Sequence, residues 1–470
     1  MANENLSDLI AALSLESGGT ETAPEERLRE ILAELSRRPV PTSSLHRLWT
    51  VSEFSAQVAL AYGALWVRGW FADAETRKRR AMETNLRIAL EAFHRLSYLR
   101  GAMTKLGQAA GNMDRLVPRE IADILDRLHF EAPPMHYSLI REVVANEFGR
   151  GPEELFASFD RDAFAAASIG QVHRARLHTG EAVVVKIQYP GIARTIDADL
   201  RNLGALMFPL RLTKGWEFVK GQFDEIHRML HQEVDYRREA ESTRQARALF
   251  RPEDEIVVPR VFDEYSSERV LTTEFIEGRH LNEFLATDPS QEVRDRFGTL
   301  LHVALYRLYY AYMNYGDPHS GNYLFLDDGR LALLDFGCVQ HYNEEEKEIL
   351  HLCEHLIHDD LSVIPRLLEV VCGIKPGDPE EATYREIMRE SREWMMEPLR
   401  ANGPFDFGDE GHLKRGFEHF SRLLQRRTVR GHPMYVYYHR SVFGSKSLLY
   451  RLRARVNVRA VYERESAGKS

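Results

Sequence analysis

Cysteine is scarce in this chain of 470 residues, and its scarcity excludes a fold built on disulfides. The three cysteines, Cys338, Cys353 and Cys372, form no CxxC pair and no framework-like spacing. Disulfide scaffolds need paired cysteines, so the sequence predicts a protein of a reducing compartment. The hydrophobic fraction of 44% and the chain length are ordinary for a globular protein of about two to four structural units.

The chain also lacks an apolar run long enough to span a membrane. The nearest candidate is an uncharged stretch of 14 residues at 54–67, whereas a bilayer core needs about 20 apolar residues. Such a stretch forms either a buried helix or a helix that lies on a membrane surface. The N-terminus is acidic where a secretion signal is positively charged. We therefore expect a cytoplasmic, bacterial-type protein, with peripheral membrane contact as an option.

An excess of basic charge is missing as well. The 62 Lys and Arg residues against 71 Asp and Glu give a formal net charge of −9. Nucleic-acid binding draws on basic surfaces that neutralise phosphates, and this composition supplies no such overall field. We expect no nucleic-acid partner.

Differences in composition and in hydrophobic periodicity divide the sequence into four parts. Residues 1–26 are rich in Ser, Glu, Gly and Thr, which predicts a disordered N-terminus. Residues 27–150 show helical periodicity, residues 151–278 hold short β-type runs, and residues 279–470 are mainly helical with one hairpin. This order predicts an α+β fold with a helical extension, a small β-containing lobe and a larger helical lobe.

A short acidic motif in the helical lobe carries the strongest chemical signal. The sequence GDPHSGN is followed directly by YLFLDDGRLALLDFG. A two-residue hairpin turn at Asp328-Gly329 would place Asn322 directly opposite Asp335. Opposed residues have Cβ atoms about 4.5–5.5 Å apart, and amide and carboxylate oxygens are ligands that Mg²⁺ accepts. The spacing predicts a magnesium site at the open end of the hairpin, with Asp317 beside it.

The same residues resemble the catalytic and metal-binding half of a protein kinase. Asp317 and Asn322 have the Asp-x4-Asn spacing of a kinase catalytic loop, and Asp335 opens a DFG tripeptide. The combination is much more specific than an isolated DFG. We therefore expect a two-lobed, protein-kinase-like fold with an ATP site between the lobes.

The small lobe contains a lysine suited to phosphate contact. The run VVVKI resembles the VAIK strand of kinases, and Lys186 among branched apolar residues needs an anionic partner. A turn at Thr179-Gly180 would place His173 opposite Lys186. The Ala-rich segment before this strand stands where kinases have a glycine-rich loop. Its candidate nucleotide-binding residues are Ala165, Ala166, Ala167, Ser168, Ile169 and Gly170.

The acidic partner of Lys186 is expected on the next long helix. The run EVDYRREA offers Glu233, Asp235 and Glu239. If the run is helical, Asp235 and Glu239 stack at i and i+4, a like-charge pair that favours a bound cation. The alternative is a solvated helix face of mixed charge.

A hinge between the lobes is predicted at LTTEFIEG. In kinases, backbone groups of this segment bond the adenine edge, so side-chain identity matters little. Glu274 and Ile276 are the candidate positions.

Four motifs together resemble the UbiB (AarF-domain) family of atypical kinases. They are KLGQ in the helical extension, AAAS, EVDYRREA and DPHSGN, and the resemblance covers about residues 95–345. The C-terminal run YVYYHRSVFGSKSLLYRLRARVNV is similar to the branch associated with coenzyme Q. The resemblance implies a kinase-like fold with a helical extension across the cleft. It also implies binding of ATP, ADP and Mg²⁺, ATPase activity and support of ubiquinone biosynthesis.

The resemblance assigns roles to individual residues. Lys186 would pair with Glu239 and touch the phosphates. Asp317 would stand where a catalytic base does, and Asn322 and Asp335 would hold Mg²⁺.

Two further residues of the extension complete this assignment. Lys105 and Gln108 would project into the cleft towards Glu233 and Asp235, where peptides bind in ordinary kinases. The chain also lacks an HR pair before Asp317, a lysine two residues after it and an APE motif after DFG. We therefore expect an ATPase rather than a protein kinase, with an isoprenoid lipid or quinone-pathway enzymes as partners. The alternatives are a small-molecule or lipid kinase and a nucleotide-binding scaffold.

Overall fold

The computed structural model describes residues 135–167, 169–192, 227–228, 231–316, 318–425 and 432–467. Several predicted features lie outside these ranges, namely residues 1–26, the stretch at 54–67, Lys105, Gln108, Ser168 and Asp317.

The small lobe is built on an antiparallel sheet. In chain order the strands are β1 (Ser158–Phe159), β2 (Ala165–Ala167), β3 (Gly170–Arg176), β4 (Ala182–Gln188), β5 (Ile256–Val257) and β6 (Val270–Glu274). All except β5 form one five-stranded sheet in the order β1-β3-β4-β6, with β2 paired to β3. β4 is rich in branched apolar residues and lies between β3 and β6, where such side chains pack well.

Two helices precede this sheet, α1 (Tyr137–Phe148) and α2 (Pro152–Leu155). The apolar side chains of α1 at i, i+3 and i+4 are Ile140, Val143 and Val144, and all three are buried. They pack in one cluster with the side chains of β4 that point the same way, such as Val183 and Val185. α1 therefore covers the outer face of the sheet and leaves the opposite face towards the large lobe.

Helix α3 (Tyr236–Leu249) lies between β4 and β5 in the chain and contacts β6. The large lobe then adds eight helices in the described ranges, α4 (Leu281–Ala286), α5 (Gln291–Tyr310), α6 (Glu344–Ile357), α7 (Ile364–Cys372), α8 (Glu381–Arg400), α9 (Glu410–Gln425), α10 (Pro433–Leu452) and α11 (Val458–Ser466). Single 3-10 turns occur at Pro252–Asp254, Asp263–Tyr265, Ser320–Asn322 and Leu361–Val363. Of the helices in the described ranges, none is both long and apolar enough to cross a bilayer.

α5 is the central helix of the large lobe. Its N-terminus is capped by Ser290, whose side chain accepts a hydrogen bond from Val293 N. Phe297, Leu301 and Ala304 of α5 lie in the main core cluster, together with side chains of α10 and α11. This cluster also contains apolar side chains of the hairpin that carries the acidic motif, so the motif is anchored in the core of the large lobe.

Short strands surround the acidic motif on both sides. They are β7 (Met313–Tyr315), β8 (Tyr323–Phe325), β9 (Leu331–Leu333) and β10 (Val339–His341), with β11 (Phe405–Asp406) and β12 (Arg455–Val456) farther on. β7 pairs with β10, and β5-β9-β8 form a three-stranded sheet. The expected hairpin is confirmed, and it is extended by strands that are too short to show periodicity in the sequence.

The register expected for this hairpin is wrong by one residue. Leu326 N donates to Arg330 O, and Gly329 N donates to Leu326 O, both at 3.0 Å. The loop therefore has three residues, a type I turn followed by Gly329 at φ 85°, where glycine is favoured. As a result the backbone carbonyl of Asn322 accepts a hydrogen bond from Leu334 N. Asn322 is therefore paired with Leu334, and not with Asp335 as expected.

The β3–β4 hairpin differs from its expected register in the same way. Leu177 pairs with Glu181, and Gly180 closes a three-residue loop at φ 101°. Lys186 is therefore opposite Val172 and not opposite His173. His173 instead faces α1, fully buried, with Nδ1 2.8 Å from the carbonyl of Asp160.

Candidate active-site cleft

Lys186 on β4 joins the two lobes through a pair of carboxylates. Its Nζ donates to both carboxylate oxygens of Glu239 at 2.9 Å and to Asp335 Oδ2 at 3.1 Å. Among the three acids of EVDYRREA, Glu239 is thus the one in contact with this lysine. We call Lys186, Glu239 and Asp335 the lysine triad. The side chain of Asp335 is 36% exposed and that of Glu239 4%, so Asp335 is the member open to a ligand.

When both of its carboxylates are ionised, the lysine triad carries one more negative than positive charge. Burial opposes the charge of Lys186, but Asp335 and Glu239 together raise its pKa well above the ordinary value. Burial also raises the pKa of Glu239 to about 7, against the attraction of Lys186. The ring of Tyr236 lies below the ammonium, with Nζ 5.1 Å from the ring centroid. A cation beside Asp335 would balance the excess negative charge of this site.

Helix α3 brings Glu239 to Lys186, and three contacts fix its position. Asp235 caps the helix by accepting from Arg238 N at 3.1 Å. Arg238 Nη2 donates to the carbonyl of Val339, and Ser242 Oγ lies 3.1 Å from His341 Nε2. The expected stack of Asp235 on Glu239 is wrong, because Asp235 caps the helix and is exposed while Glu239 is buried.

The residues after Asp335 hold its carboxylate in place. Gly337 N donates to Asp335 Oδ1 at 2.9 Å, and a Cβ at position 337 would stand 3.1 Å from Glu239 Oε2. Phe336 is buried and packs edge-on against Tyr315 at 5.4 Å between ring centroids. One carboxylate oxygen of Asp335 therefore accepts a hydrogen bond from Lys186, and the other accepts one from the backbone of Gly337. The buried side chain of Phe336 anchors this segment.

The donor set of this site fits a hard divalent cation. Asn322 ends a 3-10 turn next to the residue before Asp335, so an amide oxygen and a carboxylate are available in one place. Mg²⁺ in phosphate sites is usually bound by one or two carboxylates, with water and phosphate oxygens completing its coordination. Asp335 and Asn322 are the residues that would hold it.

The Ala-rich segment forms strand β2 and a tight connection into β3. Ala166 pairs with Gln171 and Ala167 with Gly170. Ile169 is buried in a cluster with Tyr236 and Leu271, so its side chain is a core residue. A Cβ at position 170 would overlap the carbonyl oxygen of Ile187, so glycine is required there by the approach of β4. Nucleotide contacts of Ile169 and Gly170 would therefore come from the backbone.

Two valines on the cleft face of the sheet were not among the site residues predicted from the sequence. Residues opposite each other in antiparallel strands share a face. Val172 opposes Lys186 and Val184 opposes Arg174, so both valines lie on the face that α1 leaves open. They form an apolar surface next to Lys186, against which a planar ligand would pack. Strand alternation identifies them once the register of the hairpin is known.

The predicted hinge at residues 271–278 begins inside β6, which ends at Glu274, and continues past the end of that strand. The backbone N–H of Glu274 donates to Arg260 O at 2.8 Å, which leaves its carbonyl as the group for an adenine edge. Ile276 packs beside Leu324 and Leu326 of the large lobe. The segment thus passes from the small sheet to the large lobe.

The remaining cleft candidate, Glu233, is 7% exposed. Its Oε1 accepts a hydrogen bond from the thiol of Cys338 at 3.2 Å, which places it against the residue after DFG.

The chain after Asp335-Phe336-Gly337 passes quickly into a helix. β10 pairs with β7, and Asn343 then caps α6 with its side chain, helped by Glu346. α6 begins at Glu344, as the helix-like sequence after DFG predicts. Little chain is available here for the extended segment on which protein kinases bind peptides.

A known protein family and a solved structure are similar to this chain. A family model of the ABC1 atypical kinase-like domain matches residues 127–368, a range that contains the whole lysine triad. Among solved structures, Rv3197 of Mycobacterium tuberculosis in complex with erythromycin has a similar fold, with a TM-score of 0.52 and 27% sequence identity. The match covers 82% of this chain and 97% of that one.

Two of the curated relatives are mitochondrial atypical kinases. Atypical kinase COQ8 of Schizosaccharomyces pombe is 30% identical over 91% of this chain and 70% of its own length. Atypical kinase coq-8 of Caenorhabditis elegans is 32% identical over 77% of this chain and 48% of its own length. The chain therefore spans about half the length of the nematode relative.

Proposed function

Because the chain belongs to the ABC1 (UbiB) family of atypical kinases, we propose that its cleft binds Mg-ATP and Mg-ADP and hydrolyses ATP in support of ubiquinone biosynthesis or related isoprenoid-lipid metabolism. The observation that carries this proposal is the ion pair of Lys186 and Glu239, made while Lys186 also reaches Asp335. In kinases the corresponding lysine–glutamate ion pair must be in place, together with Mg²⁺ on the DFG aspartate, before phosphoryl chemistry occurs. Asp335 is the DFG aspartate of this chain.

Each residue of the cleft has a role in this proposal. Lys186, held by Glu239, binds phosphate oxygens, while Val172 and Val184 cover the base. Asp335 and Asn322 hold Mg²⁺, which when bound neutralises charge on the phosphates. Asp317, outside the described residues, is proposed to act on the attacking group from its place five residues before Asn322.

Location and partners are proposed on the same basis. The two relatives named above are mitochondrial, and we propose for this chain the cytoplasmic location expected from the sequence, with peripheral membrane contact. Quinone intermediates are apolar and reside in bilayers, so a surface helix at 54–67 would bring the cleft to them. Such contact is tested by co-sedimentation with anionic vesicles at low and high salt.

Steady-state ATP hydrolysis with Asp335→Asn tests the cleft assignment. The variant removes one negative charge from the metal site, so turnover should fall by at least about a hundredfold. Asp328→Asn on the tip of the same hairpin is the matched control, because its carboxylate is exposed and pairs with Arg330. Equal turnover in Asp335→Asn and wild type, with both proteins folded, would refute the assignment.

A second measurement separates ATP hydrolysis from phosphate transfer. With γ-labelled ATP, an ATPase releases label as inorganic phosphate, whereas a small-molecule or lipid kinase leaves it on an extractable acceptor. We expect release as inorganic phosphate, because the short path from DFG into α6 provides no platform for a peptide acceptor. Nucleotide binding with no release of label would favour the scaffold.

A further inference from the structure

A large cavity lies inside the large lobe, separate from the nucleotide cleft. Its volume is about 320 Å³, within the range of small-molecule sites. Side chains of α5, α6, α8 and α10 line it, and most are apolar or aromatic. Five of the lining residues are methionines, whose flexible side chains adapt to irregular apolar ligands; they are Met313, Met388, Met395, Met396 and Met434.

One cation of the cavity wall has no carboxylate of its own. Lys446 on α10 lines the cavity, and its Nζ lies 2.8 Å from His412 Nε2 and 4.2 Å from the centre of the Trp394 ring. The described residues contain no direct ion pair of Lys446 with an acid. Arg392, another cation of the wall, differs because Asp359 and Glu393 bind it directly.

The polar atoms behind Lys446 are arranged as a chain of hydrogen bonds. His412 Nδ1 lies 2.8 Å from Glu397 Oε2, and a carboxylate accepts, so this nitrogen carries the hydrogen. The other nitrogen, Nε2, is then the acceptor of Lys446. Burial lowers the pKa of His412 to about 4, so the ring stays neutral at ordinary pH. His412 therefore orients Lys446 without neutralising it.

A second polar group of the wall also has unused hydrogen-bonding capacity. Asn314 on β7 lines the cavity, is 6% exposed, and has a buried amide nitrogen with no hydrogen-bond partner in the described part of the chain. An unpaired buried donor is costly and marks a place for a ligand or water. α10 and β7 pack on each other, so both groups belong to one side of the cavity.

We propose that this cavity binds an apolar molecule that carries one acidic oxygen group, a carboxylate or an acidic hydroxyl, with Lys446 as the partner of that group. The apolar walls bind the body of the ligand, and Lys446 supplies the missing counter-charge. The inference does not depend on the reaction that the cleft catalyses.

Burial agrees with this assignment. It lowers the pKa of Lys446 to about 7, and the more distant charge of Glu397, which lies behind His412, opposes this shift only in part. Burial also lowers the pKa of His302 to about 4 and raises that of Cys353 to about 12, so these two wall residues are uncharged. Glu397 and Arg415 face the His412 side and form an ion pair with each other.

Calorimetry with octanoate, and with octanol as its neutral counterpart, tests the proposal. Wild-type protein should bind octanoate at one site. Lys446→Met keeps the volume of the side chain and removes its charge, so octanoate should bind at least tenfold more weakly while octanol is unaffected. Lys414→Met, an exposed lysine of α9, is the matched control and should bind both as the wild type does.

Two more measurements test the proposal without relying on the Lys446→Met variant alone. Met388→Trp fills the cavity and should abolish binding of both probes. In the wild type, octanoate affinity should fall as the pH rises from 6 to 9, because Lys446 loses its proton, and octanol affinity should stay constant. Absence of octanoate binding to the wild type, equal affinity in Lys446→Met, or an affinity independent of pH would overturn the proposal.

Discussion

Gly444 of α10 lies directly against Pro318, the residue that follows Asp317 in the catalytic motif. A Cβ at position 444 would overlap the ring of Pro318 and stand 2.8 Å from its Cβ. Farther along the same helix, Arg451 Nη1 lies 3.4 Å from Ser320 Oγ. Helix α10 thus supports the catalytic motif from behind, although more than 120 residues separate the two in the sequence.

Gly444→Ala should disturb this support. Neither the proline ring nor the helix backbone can move away cheaply, so we expect a loss of stability of about 1–3 kcal/mol and reduced ATP turnover. Gly411→Ala, near the start of α9, is the matched control because its nearest neighbours are flexible side-chain ends at 3.2 Å or more. Denaturant unfolding and ATPase rates check both variants. Wild-type behaviour of Gly444→Ala would show that α10 does not support the motif.

The hairpins show what the sequence could predict and where it could not. Lys186 and Asp335 were identified from their motifs, and a buried lysine needs a carboxylate. The residues alone left three acids open as its partner, and only the family resemblance selected Glu239. The registers of the two hairpins could not be predicted in this way, because Asp328-Gly329 suits both a two-residue turn and a three-residue loop that ends in glycine. Both hairpins adopt the longer loop, and each shift by one residue moves every side chain to the other face.

Gly170→Ala should unfold or severely loosen the small lobe. The new methyl group would overlap the backbone carbonyl of Ile187, which the sheet holds in place, so we expect a loss of several kcal/mol. Gly151→Ala is the matched control, because its nearest neighbour is the carboxylate end of Glu153. Thermal unfolding of the two variants decides the matter. If Gly170→Ala melted like the wild type, the close approach of β3 and β4 would be wrong.

Tyr236→Phe should leave the protein as stable as the wild type or more so. The hydroxyl of Tyr236 is buried and has no hydrogen-bond partner in the described residues, so its removal relieves a desolvation cost of up to about 1–3 kcal/mol. The phenyl ring keeps its place below Lys186. Tyr236→Leu is the contrasting variant, because it removes the ring and should destabilise. A large loss of stability in Tyr236→Phe would show that the hydroxyl is bonded.

The cavity of the large lobe could not be predicted from the sequence. Its lining residues on α5, α8 and α10 have the helical spacing of ordinary core residues, and that spacing does not reveal whether facing side chains meet. Lys446 stands between Ser445 and Ser447, with no motif around it. Its partner His412 comes from α9, and such a pairing depends on tertiary packing alone.

The titration of Lys446 should be visible in the pH dependence of stability. Its pKa is about 7 in the folded chain and about 10.4 in the unfolded chain. Between these values the unfolded chain binds the extra proton, so the free energy of unfolding rises with pH. Glu397 is ionised, His412 neutral and Arg415 charged throughout this range, so Lys446 is the group that changes.

Lys446→Met removes this contribution and provides the measurement. Urea unfolding at pH 7, 8 and 9 should show the wild type gaining about 1–3 kcal/mol relative to the variant, since each pKa unit corresponds to about 1.4 kcal/mol. Groups common to both proteins cancel in this difference. Lys414→Met should run parallel to the wild type, because that lysine is exposed. If the difference between wild type and Lys446→Met stayed constant from pH 7 to 9, Lys446 would have an ordinary pKa and would be hydrated or paired in solution.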